Sequence, residues 1–208
     1  MQTNHSFDET RPTLTDQMRS RFKGLLDTIG SFLNRFGITP NTLTLIGLAG
    51  NFVGALFLAQ GKFVVGGSIV LAMGPIDALD GTMARLRGEP SEFGTFVDSV
   101  VDRYSELIIY GGLLVHYIIA ADPLLVTLTF IAAAGSFLVP YIRARAEGLG
   151  FEAKVGILSR MERFLILVPS LVLSVPWLGI GIVALFANVT AIQRILSVRK
   201  QARKRESL

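Results

Sequence analysis

Four aspartates within 26 positions are the residues with the clearest capacity for chemistry. Asp77 and Asp80 are three residues apart, and Asp98 and Asp102 are four residues apart. On a helix, either spacing places both carboxylates of a pair on one face. The pairs lie between long apolar stretches, where a carboxylate is costly and is usually kept for a function. We therefore expect two carboxylate pairs that face each other across one gap, on antiparallel neighbouring helices joined by residues 86–93.

Facing carboxylates of this kind favour divalent cations. Four like charges in one gap cannot all stay ionised without cations, and oxygen ligands suit Mg²⁺ or Mn²⁺ rather than zinc. Two such ions would attract phosphates and stabilise the entering and leaving oxygens of an in-line displacement at phosphorus. Gly81 and Ala84 leave a shallow floor beside the first pair, and Arg85 can clamp an anion at its end. The pattern predicts metal-dependent phosphoryl chemistry, with an ion or proton path in a transporter as the alternative.

The elements that position these residues are predicted to be membrane helices. The chain has 208 residues, half of them hydrophobic, and several apolar stretches of about 20 residues indicate a polytopic membrane protein. The sequence contains no cysteine, which excludes disulfides, iron–sulfur clusters and thiolate zinc sites. His5 and His116 lie too far apart in sequence to indicate a histidine metal site. No feature indicates a nucleic-acid partner.

An all-α membrane fold of six transmembrane helices, preceded by a surface helix, is predicted. Residues 13–37 carry apolar and basic positions at helical spacing, which is typical of an amphipathic helix on a membrane surface. We expect residues 1–12 to be disordered, residues 38–199 to form the catalytic domain and residues 200–208 to form a basic tail on the membrane surface. The six predicted spans are about 41–60, 63–85, 94–120, 123–147, 159–175 and 177–198.

The distribution of positive charge predicts the orientation of the chain. The links after the first, third and fifth spans carry almost no positive charge, whereas Arg85, Arg143, Arg160 and the run at 199–205 lie on the opposite side. Since cytoplasmic segments concentrate Lys and Arg, the site and both termini are expected to face the cytoplasm from the plasma membrane. The sequence has no internal repeat, which weakens the transporter alternative.

The aspartate motif resembles the signature of the CDP-alcohol phosphotransferase family. Its fixed positions are Asp77-x2-Asp80-Gly81-x2-Ala84-Arg85-x8-Gly94-x3-Asp98-x3-Asp102. The resemblance implies a homodimeric membrane enzyme that transfers a phosphatidyl-type group from a CDP-linked lipid to an alcohol and releases CMP. It also implies two Mg²⁺ or Mn²⁺ ions held by the four aspartates, with Asp102 as the general base as well.

The resemblance further implies a set of residues that bind the CDP-lipid. Its members come from the motif itself, the start of the first span and the loop after the arginine: Asn41, Thr44, Gly81, Ala84, Arg85 and Ser91. Simpler explanations exist for three of them. Asn41 can be a helix cap, Thr44 an intrahelical hydroxyl and Ser91 a loop hydroxyl.

Arginines in the second half of the chain indicate a phosphorylated acceptor, because a guanidinium binds phosphate bidentately. Here the chain is similar to the inositol-phosphate branch of the family, which includes archaeal ether-lipid enzymes. That similarity implies transfer from CDP-diacylglycerol to inositol phosphate. It implies an acceptor-phosphate set of Arg143, Arg160, Arg163 and Arg194. Positive-inside bias and contacts with anionic lipids also explain basic residues here, Arg143 can simply pair with Glu147, and glycerol phosphate is the alternative acceptor.

Overall fold

The computed structural model describes residues 14–37, 39–86 and 92–207, and this part of the chain is helical without strands. The predictions for residues 1–12 and for Ser91 lie outside the described residues. Seven helices occur in the described part: α1 (Leu14–Arg35), α2 (Pro40–Ala59), α3 (Phe63–Leu86), α4 (Glu92–Ile119), α5 (Pro123–Glu147), α6 (Arg160–Val172) and α7 (Pro176–Glu206).

The helices begin where local chemistry favours a helix start. At α2, Thr39 Oγ1 accepts a hydrogen bond from the Thr42 backbone N–H at 3.2 Å, and Pro40 is the first helical residue. At α5, Asp122 Oδ1 accepts from the Leu125 N–H at 3.0 Å. Side-chain caps and a proline in the first turn satisfy or remove the backbone donors that a helix start leaves free. Asn41 is therefore not the cap of α2.

Helices α2 to α7 form a closed ring. Within the described residues, α2 packs against α3 and α4, α5 against α4 and α7, and α6 against α3 and α7. The prediction that α3 and α4 are direct neighbours is wrong, since these two helices make few contacts with each other, if any. Both pack on α2 instead. This arrangement holds the carboxylate faces of α3 and α4 apart and leaves room between them.

One end of the ring is filled by apolar side chains. Leu113 of α4, Leu171 of α6 and Ile180 of α7 are completely buried there. Tyr110 belongs to the same cluster, and its hydroxyl is satisfied by the Ser136 hydroxyl at 3.2 Å. The filled end leaves the acidic residues of α3 and α4 at the other end of the ring, here called the site end.

Four helices in the described part of the chain are long and apolar enough to cross a membrane: α2, α3, α5 and α7. Helix α4 has 28 residues, but its apolar sequence is interrupted by four charged residues: Asp98, Asp102, Arg103 and Glu106. Helix α6 has 13 residues, fewer than a bilayer requires. The six-span count therefore stays a prediction.

Helix α1 lies against the site end of α3. Leu26 and Leu33 pack on a small apolar cluster contributed by α2 and α3. Gly30 is buried against α3, whereas Phe32 of α1 and Phe36, which follows its last residue, stay exposed. Helix α1 lies within the range 13–37, and the prediction that it is an amphipathic helix on a membrane surface stays a prediction.

The contact between α2 and α4 depends on a glycine. A Cβ at Gly112 would overlap the backbone of Ala55, whereas a Cβ at Gly111 would meet no described atom within 4 Å. We expect Gly112→Ala to lower the free energy of unfolding by about 1–3 kcal/mol through overpacking. Gly111→Ala is the matched control and should change it by at most about +1 kcal/mol, the gain in helix propensity. Thermal unfolding in one detergent compares the two variants, and equal stabilities would contradict the close approach.

Candidate active site

Asp77 and Asp102 are joined by one arginine. Arg160 Nη2 lies 2.8 Å from Asp77 Oδ2 and 2.6 Å from Asp102 Oδ1. The three residues come from α3, α4 and α6. Because α3 and α4 hardly touch, the guanidinium at the first residue of α6 spans the gap between their carboxylates. Two residues predicted to bind metal, Asp77 and Asp102, and one predicted to bind phosphate, Arg160, therefore meet in one site.

Asp80 is buried and is oriented by the packing of α2 on α3. Its side chain is 5% exposed, and Oδ2 accepts a hydrogen bond from Thr44 Oγ1 at 2.7 Å. Its Oδ1 lies 2.5 Å from the backbone nitrogen of Gly81. Thr44 Oγ1 is also 3.1 Å from the Pro40 carbonyl oxygen of its own helix. Thr44 is thus an intrahelical hydroxyl that also contacts the aspartate group directly.

Asp98 is close enough to the other three aspartates to repel them. It lies one turn before Asp102 on α4, and its charge acts on Asp77, Asp80 and Asp102. Within the described residues, no three acidic or histidine side chains form a ready-made metal cluster. The donor set nevertheless consists of repelling carboxylate oxygens, which is the chemistry that Mg²⁺ and Mn²⁺ prefer. The residues present therefore fit a divalent cation.

A second ion pair lies one helical turn further into the ring. Arg163 is 2% exposed, and its Nε and Nη2 lie 2.8 and 3.1 Å from the two carboxylate oxygens of Glu106. Its Nη1 is buried and has no hydrogen-bond partner in the described part of the chain. Glu106 was not among the predicted site residues. Glu106 lies four residues after Asp102, just as Asp102 lies four residues after Asp98. The same spacing in the sequence is therefore a signal that could have identified it.

A cavity opens between α2, α3, α4 and α6. The two ion-paired arginines line it together with Asp77, Asp102 and Glu106. Asn51 of α2 and Tyr110 of α4 also line it. The cavity thus has acidic groups on α3 and α4 and basic groups on α6. Acidic and basic groups therefore share the wall of one cavity.

Arg194 combines a place in the basic region with a structural role. It is 6% exposed, and its Nε and Nη1 donate hydrogen bonds to the carbonyls of Val155 and Val139 at 3.0 and 2.6 Å. The positive charges of Arg143 and Arg163 both act on it. Arg194 is therefore within electrostatic range of two of the other three predicted acceptor arginines, Arg143 and Arg163, but two of its own donors already bind backbone carbonyls.

The predicted CDP-lipid residues lie beside the aspartates on α2 and α3. Gly81 and Ala84 are partly buried, and Arg85 is exposed at the end of α3. Arg85 Nη2 donates to Thr82 Oγ1 at 3.0 Å, which fixes one side of its guanidinium. Asn41 is exposed in the first turn of α2.

The family model for CDP-alcohol phosphatidyltransferases matches residues 37–196. The chain belongs to the CDP-alcohol phosphatidyltransferase family. It is accordingly a phosphatidyltransferase of phospholipid biosynthesis. Its four apolar helices and its family together make it a multi-pass membrane protein.

This phosphatidyltransferase is similar to named relatives over most of its length. It is 36% identical over 192 residues to the archaetidylinositol phosphate synthase of Pyrococcus horikoshii, covering 90% of this chain and 98% of the relative. A crystal structure of Mycobacterium tuberculosis phosphatidylinositol phosphate synthase with CDP-DAG bound matches with a TM-score of 0.78 and 32% identity, covering 83% and 92%. The same enzyme in complex with manganese and citrate matches with a TM-score of 0.75 and 32% identity, covering 83% and 88%.

The two arginine–glutamate pairs of the phosphatidyltransferase should differ in their contribution to stability. Arg163→Ala leaves Glu106 unpaired beside apolar helices, and we expect a loss of about 2–4 kcal/mol, slightly below the range for fully buried pairs because Glu106 keeps some exposure. Arg143 pairs with Glu147 at 2.9 Å on the surface, so Arg143→Ala should cost less than about 1 kcal/mol.

Denaturant unfolding in detergent measures both variants. Adding Glu106→Gln to Arg163→Ala should recover part of the loss, since it removes the unpaired charge. Equal losses for the two single variants would contradict the buried pair.

Proposed function

We propose that this phosphatidyltransferase transfers the phosphatidyl group of CDP-diacylglycerol to inositol phosphate and forms phosphatidylinositol phosphate and CMP. One observation carries the proposal: aspartates of α3 and α4 and arginines of α6 line the same cavity. The acidic half suits cations with a diphosphate, and the basic half suits a second phosphate on the acceptor. Both relatives described above are named as synthases of an inositol phosphate lipid, which supports this acceptor.

We propose that Asp77, Asp80, Asp98 and Asp102 hold two divalent cations, Mg²⁺ or Mn²⁺. The manganese complex of the M. tuberculosis enzyme supports a divalent cation at this site. When bound, the cations would neutralise phosphate charge and make the phosphorus more susceptible to attack. The hydrogen bond from Thr44 and the burial of Asp80 support this aspartate as a fixed point of the ligand set.

In the proposed reaction, Asp102 is the general base. It takes the proton from the attacking hydroxyl of the acceptor. The new bond joins that oxygen to the lipid-side phosphorus, while the bond from the same phosphorus to the CMP oxygen breaks and CMP leaves. Asp102 lies between the aspartate group and Glu106, and it contacts Arg160 at 2.6 Å. This position between the acidic and basic halves of the cavity supports the role.

The remaining predicted residues divide between the two substrates. The buried Nη1 of Arg163 supports a phosphate role, because it is an N–H donor in the wall of the cavity without a protein partner in the described part of the chain. We propose that the acceptor phosphate is bound by Arg143, Arg160, Arg163 and Arg194. For the CDP-lipid, the proposed contacts are Asn41, Thr44, Gly81, Ala84, Arg85 and Ser91.

We also propose that α2 to α7 make six membrane crossings and that α1 lies on the cytoplasmic surface of the plasma membrane. The exposed rings of Phe32 on α1 and of Phe36 just after it support contact with lipid. The proposed organisation is the surface helix at 13–37, the catalytic domain at 38–199 and a basic segment at 200–208. Both termini face the cytoplasm, and the assembly is a homodimer, as the family resemblance implies.

Release of CMP by the purified protein tests the proposed function. With CDP-diacylglycerol, Mg²⁺ and inositol phosphate, we expect release that Asp102→Asn lowers by about 10²–10⁴-fold, the usual contribution of a general base. The matched control is Asp122→Asn, which changes a carboxylate at the start of α5, and it should keep full activity. An ether-linked CDP-lipid in a parallel assay distinguishes the two donor classes.

The choice of acceptor is tested in the same assay. Release only with glycerol phosphate would keep the aspartate assignment and refute inositol phosphate as the acceptor. The transporter would be favoured instead if the folded protein released no CMP with any of the acceptors but moved cations across a vesicle membrane.

A further inference from the structure

Residues 150–158 lie in the non-helical segment between α5 and α6 and are here called the connector. The connector is bound along one face of α7. Four α7 side chains hydrogen-bond it: Thr190, Arg194, Gln201 and Arg205. Their partners on the connector, in the same order, are Leu158, Val155, Glu152 and Gly150. The α7 residues are spaced by four, seven and four positions, so they share one helical face. The connector thus runs antiparallel to α7 in a fixed register.

The lengths of the two partners agree. Fifteen residue steps of α7 span about 22 Å at the helical rise. Eight steps of extended connector reach about 26 Å. A nearly extended connector can therefore follow the helix from Thr190 to Arg205 without slack. This match explains why contacts occur along its whole length rather than at one end.

Gln201 and Arg205 make the contacts that lie furthest from the ring of helices. The Glu152 N–H donates to Gln201 Oε1 at 3.0 Å, and Gln201 Nε2 donates to the Glu152 carbonyl at 2.6 Å. This reciprocal pair resembles the pairing of two strands. Arg205 donates to the Gly150 carbonyl, and its guanidinium lies 4.2 Å from the ring centre of Phe151. Both α7 residues belong to the basic segment that the sequence predicts to lie on the membrane surface.

The contacts nearest the ring fix the start of α6. The Leu158 N–H donates to Thr190 Oγ1 at 3.0 Å, and Leu158 is 3% exposed. Gly156 has a φ of +137°, and a Cβ there would overlap Thr190, so this close approach requires glycine. Ser159 follows as the N-cap residue of α6, and Arg160 is its first residue. The register of the connector on α7 therefore determines where Arg160 stands.

We propose that Gln201 and Arg205 are positioning residues of the active site. They hold the connector on α7, and through it they keep Arg160 and Arg163 at the cavity. The consequence for the acceptor rests on the proposed function, in which these two arginines bind its phosphate. The consequence for the connector itself does not depend on any substrate.

Hydrogen–deuterium exchange and kinetics of the full-length protein in detergent test the proposal. Gln201→Ala and Arg205→Gln should each speed amide exchange in residues 150–158 by about fivefold or more, the equivalent of one net hydrogen bond. The KM for inositol phosphate should rise by about five- to tenfold, with the KM for CDP-diacylglycerol unchanged within about twofold. Arg205→Lys keeps the charge and a donor and should lie between the wild type and Arg205→Gln.

Arg203→Gln is the matched control. It removes the same charge two residues away, on another side of α7, and should alter neither exchange in the connector nor the KM for the acceptor. Equal effects of Arg203→Gln and Arg205→Gln would assign the effect to membrane-surface charge and overturn the proposal. Unchanged exchange in both Gln201→Ala and Arg205→Gln would overturn it as well.

A cross-link covers the case in which a variant does not fold. The chain has no cysteine, so Glu152→Cys combined with Gln201→Cys introduces a single pair of thiols. Before cross-linking, this double variant should show the raised KM expected for loss of Gln201. A short thiol cross-linker should join the two thiols and bring the KM for inositol phosphate back towards the wild-type value, because the covalent link replaces the lost hydrogen bonds. Failure to cross-link in folded protein, or loss of activity on cross-linking, would refute the register. Exchange and cross-linking are read without any substrate, so they stand even if inositol phosphate proves to be the wrong acceptor.

Discussion

Repulsion among carboxylates inside a ring of apolar helices is the constraint on which the rest of the structure depends. Unpaired charges in such surroundings cost several kcal/mol each. Fixed partners offset part of this cost: Arg160 forms ion pairs with Asp77 and Asp102, and Thr44 donates a hydrogen bond to Asp80. In the proposed function, the negative charge that must be balanced would also attract cations and, with them, a diphosphate. The electrostatic cost of the site and its proposed chemistry would then have one origin.

The helical ring turns this constraint into a cavity with two halves. Packing of α3 and α4 on α2 holds the acidic faces apart, and the apolar cluster around Leu113 and Leu171 fills the far end of the ring. Helix α6 then brings guanidinium groups to the opening from the other side. Its start is set by a connector bound along α7. Residues of four helices, α2, α3, α4 and α6, thus line one cavity, which is where the proposed function brings donor, acceptor and general base together.

The aspartate motif and the helical class could be predicted from the sequence, because spacing determines which side chains share a helical face. Spacing does not determine which helices are neighbours, and the predicted contact between α3 and α4 is wrong for that reason. Glu106 continues the spacing of Asp98 and Asp102, but the family motif ends at Asp102 and so does not include it. The last predicted span ends at 198, whereas α7 runs to Glu206. Its extra turns are bound by an irregular connector, whose contacts leave no periodic pattern in the sequence.

Titration of Mn²⁺ into purified protein tests most directly whether the four aspartates form one divalent metal site. Electron paramagnetic resonance counts free and bound Mn²⁺ without any substrate. The account predicts saturable binding of about two ions per chain, weakened at least tenfold by Asp98→Asn, since even loss of a ligand's hydrogen-bond partner typically costs about 10–100-fold. No saturable binding, or binding that Asp98→Asn leaves unchanged, would contradict it.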